Sequence, residues 1–380
     1  MLKITSKKKI AVYIHIPFCT KKCAYCGFYS VNYDADSVER YFKNLRNSIS
    51  NFPYKNEYEV STIYFGGGTP SLIPFHQLYS VVSAIVNNFS VNKNAEVTLE
   101  ANPLNISKSS AKDYRILGIN RISLGAQSFI DSELKSLGRL HTHKEIQPAV
   151  ENIRRNCTEN ISLDLMFGIP SQSKKTWETS LQKAAELNPN HISSYCLSLE
   201  NNTYMKNNAS SYDFPDEDLQ REMYYFMLDF LAENGLEQYE ISNFSKSGYK
   251  SKHNLAYWHG DEYIGFGAAA HSFYKMRRIA NPANIENYCG RIEDGNYPFE
   301  SDKEISEREF ISDKIVLGLR LSEGIYLPEF KNKYNFDVEK NFKKIISQLI
   351  KSDFLMKKDN RLKLTRKALF VSNSILSEFI

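Results

Sequence analysis

The chain has 380 residues, 42% of them hydrophobic and 24% charged, with a formal net charge of +4. Those proportions belong to an ordinary folded protein and exclude a disordered, collagen-like or low-complexity chain. No run approaches the roughly 20 apolar residues of a membrane span, and the charge is too small for a whole-protein nucleic-acid field. What excess there is lies late: residues 301–380 hold 16 Lys+Arg against 12 Asp+Glu. Six cysteines are too sparse for a disulfide scaffold. Three of them, Cys19, Cys23 and Cys26, fall within eight residues, which points to metal or redox chemistry in a reducing compartment. A cytoplasmic location is the expectation.

In chain order, the basic N-terminus runs into IAVYIHIPF without a small-residue cleavage site, so residues 10–16 read as a buried strand. Further β-rich runs follow at 61–65, 95–100, 121–125, 161–167 and 191–199. Between them lie helix-like stretches at 37–52, 75–88, 107–117, 144–155 and 174–187. This alternation predicts repeated βαβ units and a parallel sheet. Periodicity leaves a partial barrel and a doubly wound sheet both open. After residue 200 the rhythm breaks. A polar loop precedes a helix over 218–234, YEISNF follows, and residues 253–273 are rich in Gly and aromatics. A polar stretch near 280–303 reads as a linker. The last 75 or so residues combine helix-like runs with a hairpin at 354–365 turning on Asp359-Asn360. That combination suggests a small winged-helix-like domain. The expected division is 1–240, 241–300 and 301–380.

The strongest local signal is C-x-x-x-C-x-x-C directly after the first strand. Thiolates are soft ligands suited to zinc or to iron–sulfur iron. Three of them on a [4Fe–4S] cluster leave one iron open. The alternative is structural zinc with His15 as fourth ligand, but no second CxxC is present. Polar groups gather at or near strand ends, where βα folds place their sites. They are Tyr13, the run Gly66-Gly67-Gly68-Thr69-Pro70, Glu100, Gln127 and Asp164. The Gly run lacks the GK[ST] ending of a phosphate loop. It suits close backbone approach to a ligand instead.

YIHIPFCTKKCAYCGF resembles the signature of radical S-adenosylmethionine (SAM) proteins, in the coproporphyrinogen-dehydrogenase-like branch. The likeness continues through YFGGGTPS, TLEANP, RISLGAQSF, LGRLH and DLMFGIP, about 200 residues in order. It implies an α/β fold, a partial (β/α)6 barrel with a small C-terminal helical, winged-helix-like domain. It also implies a [4Fe–4S] cluster on Cys19, Cys23 and Cys26, with SAM chelating the open iron beside Tyr13, Gly67 and Glu100. The dehydrogenases' pattern for a second SAM falls on Tyr25, Gly68, Thr69, Gln127, Arg139 and Asp164.

Two departures separate the chain from the dehydrogenases: Phe28 stands where they carry a further cysteine, and their N-terminal extension is missing. HNLAYW at 253–258 and IGFGAAAHSF at 264–273 resemble the HemW-type haem-chaperone branch instead. That branch implies haem as ligand, an acceptor protein that receives it, and an electron donor such as a flavodoxin or ferredoxin. A haem pocket needs an axial donor among large apolar side chains. His253, beside Tyr257 and Trp258, is the candidate, with His259 and His271 competing. The C-terminal charge surplus is small beside the 6–10 phosphate contacts of a strong DNA binder. Packing or partner docking is the expected role there, and no nucleic-acid partner is expected. Oxygen-independent decarboxylation of coproporphyrinogen III is the alternative function.

Overall fold

A computed structural model describes residues 7–380. Six parallel strands alternate with helices, close to the predicted runs. The strands are β1 (Lys8–Ile16), β2 (Tyr58–Gly67), β3 (Ser90–Ala101), β4 (Arg121–Gln127), β5 (Ile161–Phe167) and β6 (His191–Cys196). The helices are α1 (Ala35–Ser50), α2 (Phe75–Asn88), α3 (Lys108–Ile116), α4 (Ile146–Asn156) and α5 (Lys174–Glu186). Helix α6 (Glu217–Glu233) leads into the antiparallel pair β7 (Glu237–Glu240) and β8 (Asn243–Ser245), which extends the sheet beyond β6.

The chain then crosses to the other side. After the short helix α7 (Lys252–Trp258), β9 (Tyr263–Phe266) pairs parallel to β1. Strands β10 (His271–Tyr274), β11 (Arg277–Ala280) and β12 (Ser301–Glu304) add antiparallel beyond it. The strand order is β12-β11-β10-β9-β1-β2-β3-β4-β5-β6-β8-β7. The sheet keeps two edges, so it is a barrel left open, in agreement with the expected fold class. The stretch 280–303 is not a linker: it holds α8 (Ile285–Glu293) and the edge strand β12. Its polar composition hides Ile285, Tyr288 and Cys289, whose i, i+3, i+4 spacing gives the helix one buried face.

Burial along the six parallel strands alternates in chemistry rather than in degree. Ile10, Val12, Ile14, Ile63, Phe65, Leu99, Ile122, Leu124, Leu163, Leu165 and Ile192 join the apolar core under the helices. The residues between them are mostly polar and face the barrel interior: Tyr13, His15, Thr62, Tyr64, Thr98, Glu100, Arg121, Ser123, Ser162, Asp164 and Ser193. Register aligns them across neighbouring strands, with Tyr13 beside Tyr64, Tyr64 beside Thr98, Thr98 beside Arg121, and Asp164 beside Ser193. A period of two residues sends successive side chains to opposite faces. The same strands therefore build an apolar outer layer and a polar lumen.

The C-terminal unit has a core of its own around Ile311, Ile315, Leu319, Phe330, Ile346, Leu362 and Phe379. Helices α9 (Glu307–Leu319) and α10 (Lys343–Lys351) precede a hairpin of Leu355–Lys358 with Arg361–Leu364. Asp359 and Asn360 turn it at φ 51° and 58°, the left-handed pair that a two-residue hairpin turn requires. Ile325–Tyr326 adds a third strand, giving the winged-helix shape.

One phenol ties α1 to both β1 and the loop after β9. The Tyr41 hydroxyl donates to the His15 carbonyl at 2.8 Å and accepts the Ala268 N–H at 3.0 Å. Gly267 beside it has φ 105°, and a Cβ there would lie 2.4 Å from the Tyr41 oxygen. Tyr41→Phe keeps the ring and strands two buried backbone groups. The expected loss is about 1–3 kcal/mol of unfolding free energy, read by urea denaturation; no loss would mean that water or rearrangement replaces the phenol.

Candidate functional site

The loop after β1 carries the three cysteines, and hydrogen bonds pin it from three sides. It pairs with itself through Val31 N–H to Pro17 O at 2.7 Å and Tyr33 N–H to Cys19 O at 2.9 Å. The glycine run after β2 reaches it through Gly68 N–H to Ile16 O and Thr69 N–H to Phe18 O, both 2.8 Å. A Cβ on Gly68 would lie 2.7 Å from Phe18 O and 3.0 Å from the Cys19 sulfur, so only glycine fits this contact. From β4's side, Ala24 N–H donates to Leu137 O at 3.0 Å, and Arg139 spans Gly125 O at 2.8 Å and the Cys23 sulfur at 3.8 Å.

All three thiols are half-buried and line one cavity of about 550 Å³ at the C-terminal ends of the strands. Burial raises the pKa of Cys19 and of Cys26. Among the described residues, no three His, Cys, Asp or Glu side chains converge on one ion's position. The His15 considered as a zinc ligand has both ring nitrogens engaged, by the Tyr13 hydroxyl and Tyr29 O at 3.0 Å each.

The cavity gathers most of the residues singled out in the sequence. Tyr25, Gly67, Gly68, Thr69, Glu100, Gln127, Arg139 and Asp164 line it together with Cys19, Cys23, Cys26 and Phe28. Tyr13 is not among the lining residues; it sits behind Gly66 and stacks on Tyr64. Gln127 ends β4 at φ 65°, a left-handed kink at the cavity wall. Glu100 accepts from the Tyr64 hydroxyl at 2.9 Å and from Gly67 N–H at 3.1 Å. Burial, opposed by those hydrogen bonds, pushes its carboxyl up to about 7. Asp164 accepts from Ser123 at 2.9 and 3.1 Å, and burial pushes it up to about 6.

His253 does not meet the expectation of an axial haem donor in this arrangement. It is 1% exposed, with Nδ1 bonded to the Thr62 hydroxyl at 2.8 Å and Nε2 to the Tyr257 hydroxyl at 2.9 Å. Burial, aided by the Arg121 charge, lowers it to about 3, so it is a neutral ring stacked on Tyr64 at 4.9 Å. Glu96 accepts the N–H groups of Lys252 and His253 at 3.1 Å each, at the start of α7. Trp258 packs under Arg320 of the C-terminal unit at 4.9 Å. His259 and His271 are exposed and lie off the cavity.

Sequence reasoning missed Tyr64, Arg121, Ser123, Ser193 and Asn254, all on the cavity wall. The signal that finds the strand residues is the polar i, i+2 rhythm inside runs that look uniformly β-forming, as in Arg121/Ser123 and Ser162/Asp164.

Residues 13–184 match the Radical SAM superfamily, and residues 305–371 match the HemN C-terminal domain. The Heme chaperone HemW of Lactococcus lactis subsp. lactis is 32% identical over 379 residues, covering 98% of each chain. The chain belongs to the HemW family of radical SAM proteins. The HemW of Bacillus subtilis is 33% identical, covering 97% of this chain and 99% of its own. In three dimensions the chain is similar to coproporphyrinogen III oxidase (HemN) of Escherichia coli, with a TM-score of 0.88 over 98% of this chain and 90% of that one. Identity there is 20%, a likeness of fold.

The raised Glu100 pKa sets a pH signature for the cofactor-free protein. An unfolded glutamate loses its proton near pH 4.5, whereas folded Glu100 holds it to about 7. The folded state therefore binds more protons between those values, and stability falls as pH rises through that window. Glu100→Gln removes the penalty. It is expected to stabilise the cofactor-free protein at pH 8 by up to about 3 kcal/mol and to have little effect at pH 4.5. Urea denaturation at the two pH values checks this, and equal effects at both would contradict it.

Proposed function

We propose that this chain is a haem chaperone that carries a [4Fe–4S] cluster, SAM and haem, and passes haem to an acceptor protein. The observation that carries the reading is near-full-length identity to relatives named heme chaperones, in a chain with Phe28 where the dehydrogenases bear their further cysteine. Phe28 is 68% exposed at the cavity mouth, an apolar surface there instead of a thiol. Coproporphyrinogen decarboxylation has behind it a likeness of fold at 20% identity and the match of residues 305–371 to the HemN C-terminal domain.

Cys19, Cys23 and Cys26 would hold the cluster, which when bound supplies one iron open to a chelating ligand. The chain's own residues then define the surroundings. Gly67 and Gly68 bring backbone against the cysteine loop, so a ligand on that iron meets main chain rather than side chains. Glu100 and Asp164 supply negative charge suited to an amine or a sulfonium. Tyr25, Gln127 and Arg139 close the wall between them and the thiols. The acceptor and a flavodoxin- or ferredoxin-like electron donor belong to the proposal as partners of the mouth. The basic residues of the C-terminal unit are partly committed to neighbours, Arg366 to Asp229 and Lys357 to Glu339, which supports packing rather than nucleic-acid binding. No helix among the described residues is long and apolar enough to cross a membrane.

The test is a haem titration of anaerobically reconstituted protein, followed by desalting and a visible spectrum. Stoichiometric retention is expected, followed by transfer to a haem-free acceptor haemoprotein on mixing. Cys→Ser at positions 19, 23 and 26 is expected to abolish the cluster's iron and labile sulfide. Failure to retain haem, or formation of protoporphyrinogen IX from coproporphyrinogen III, would overturn the reading.

A further inference from the structure

The floor of the cavity holds a cation without a hydrogen-bond partner. Arg121 opens β4, is 1% exposed, and points its side chain into the lumen below Ser123. Its Nε is buried with no hydrogen-bond partner, and among the described residues no hydrogen bond or ion pair reaches its other two nitrogens. Its charge acts against burial on Glu100 and Asp164 and lowers both carboxyls, but neither hydrogen-bonds to it. Glu100 is bonded to Tyr64 and Gly67, and Asp164 to Ser123. On either side stand two neutral histidines, His253 between Thr62 and Tyr257, and His191 between Ser162 and Tyr239 at 2.8 Å each. Asn254, the second residue of the H-N-x-x-Y-W motif, lines the same cavity from α7.

A buried guanidinium that lacks hydrogen-bond partners leaves its N–H groups short of the bonds that repay their lost water. A guanidinium is also the side chain whose planar fork matches a carboxylate with two parallel hydrogen bonds. We infer that Arg121, with Asn254 on the wall of the same cavity, is a subsite for a carboxylate group of a ligand that enters the barrel. Two ligands of the proposed function carry that chemistry: haem, through its propionates, and SAM, through its amino-acid end. The inference therefore rests on that reading, and it adds a cationic anchor at the start of β4, away from the strand ends that carry the cysteine loop.

The experiment removes the carboxylate from the ligand and the guanidinium from the protein in turn. Cluster-loaded wild type and Arg121→Gln are titrated with haem and with its dimethyl ester, then with SAM and with decarboxylated SAM. A charge-assisted bidentate contact is worth about tenfold or more in affinity. If haem is the source, wild type binds the diester about tenfold more weakly than haem, whereas Arg121→Gln binds the two alike. If SAM is the source, that pattern appears in the SAM pair alone. A SAM carboxylate held only by iron would instead lose the same factor in both proteins. Arg121→Lys, which keeps the charge without the fork, is expected to recover part of the discrimination. The wild-type comparison stands even where Arg121→Gln fails to fold: equal affinity for acid and ester, and an unchanged SAM pair across whichever variants fold, overturn the subsite. Wild type that binds neither haem nor its ester defeats the chaperone reading instead, and the SAM arm then decides the subsite alone.

Discussion

The structure depends on which way the polar half of each strand faces. A parallel βα sheet ordinarily buries both faces and reads as nearly continuous apolar sequence. Here the outer face does so, against α1–α5, and the inner face is lined by hydroxyls, carboxylates, imidazoles and a guanidinium. Every such group gives up water on folding and must be repaid by a hydrogen bond or by a bound ligand. Much of the lumen's geometry follows from that requirement. Thr62 and Tyr257 clasp His253, Ser162 and Tyr239 clasp His191, and Ser123 holds Asp164. Low in the lumen these clasps fix side chains in place; toward the mouth they leave the cavity open.

The H-N-x-x-Y-W motif takes its meaning from the same constraint. Helix α7 is only seven residues long and draws its stability from what it touches. Glu96 holds its first N–H groups, His253 inserts into the lumen, and Trp258 packs beneath Arg320. The motif thus joins the base of the barrel to the C-terminal unit. Lys314, which donates to the His259 carbonyl, and Ser322, which donates to the Gln238 carbonyl, reinforce the same junction. A substitution at His253 acts through Thr62, Tyr64 and Tyr257 before it acts on any ligand. A change in haem spectrum on altering His253 would then report movement of this scaffold as readily as loss of an axial bond.

Much of the fold was legible because its signals are local. Strand and helix runs through residue 196, the Asp359-Asn360 turn and the cysteine loop each declare themselves within a dozen residues. The cavity residues were legible for a related reason, since βα folds bring strand ends together. What stayed hidden depends on partners distant in sequence. Strand β9 is four residues long, and pairing with β1, far back in the chain, and with β10, which follows it, makes it a strand. Helix α8 lies in polar sequence, and its buried face exists because Ser48 and α1 are there to receive Tyr288. Arg121 reads as an ordinary charged residue at the start of a strand until Thr98 and Ser123 show which way it points. His253 misled for the converse reason: aromatic neighbours in sequence suggest a ligand pocket, and in space they are its hydrogen-bond and stacking partners.

The distribution of charge along the lumen also orders what the cavity accepts. The mouth carries thiols that become anionic on ligating metal, and the middle carries Glu100 and Asp164, whose raised pKa values mark the cost of holding negative charge without water. A cationic sulfonium or amine is the species that relieves that cost. The floor reverses the sign at Arg121. A ligand with separated positive and negative groups is thus favoured in one orientation, cation toward the carboxylates and carboxylate toward the guanidinium. A ligand with the opposite polarity meets like charge at both ends. Low in the lumen, where these side chains are buried, such differences are larger and less screened by salt than at the surface. That order of charge is set by strand residues two apart whose only shared property is the face on which the pleat places them.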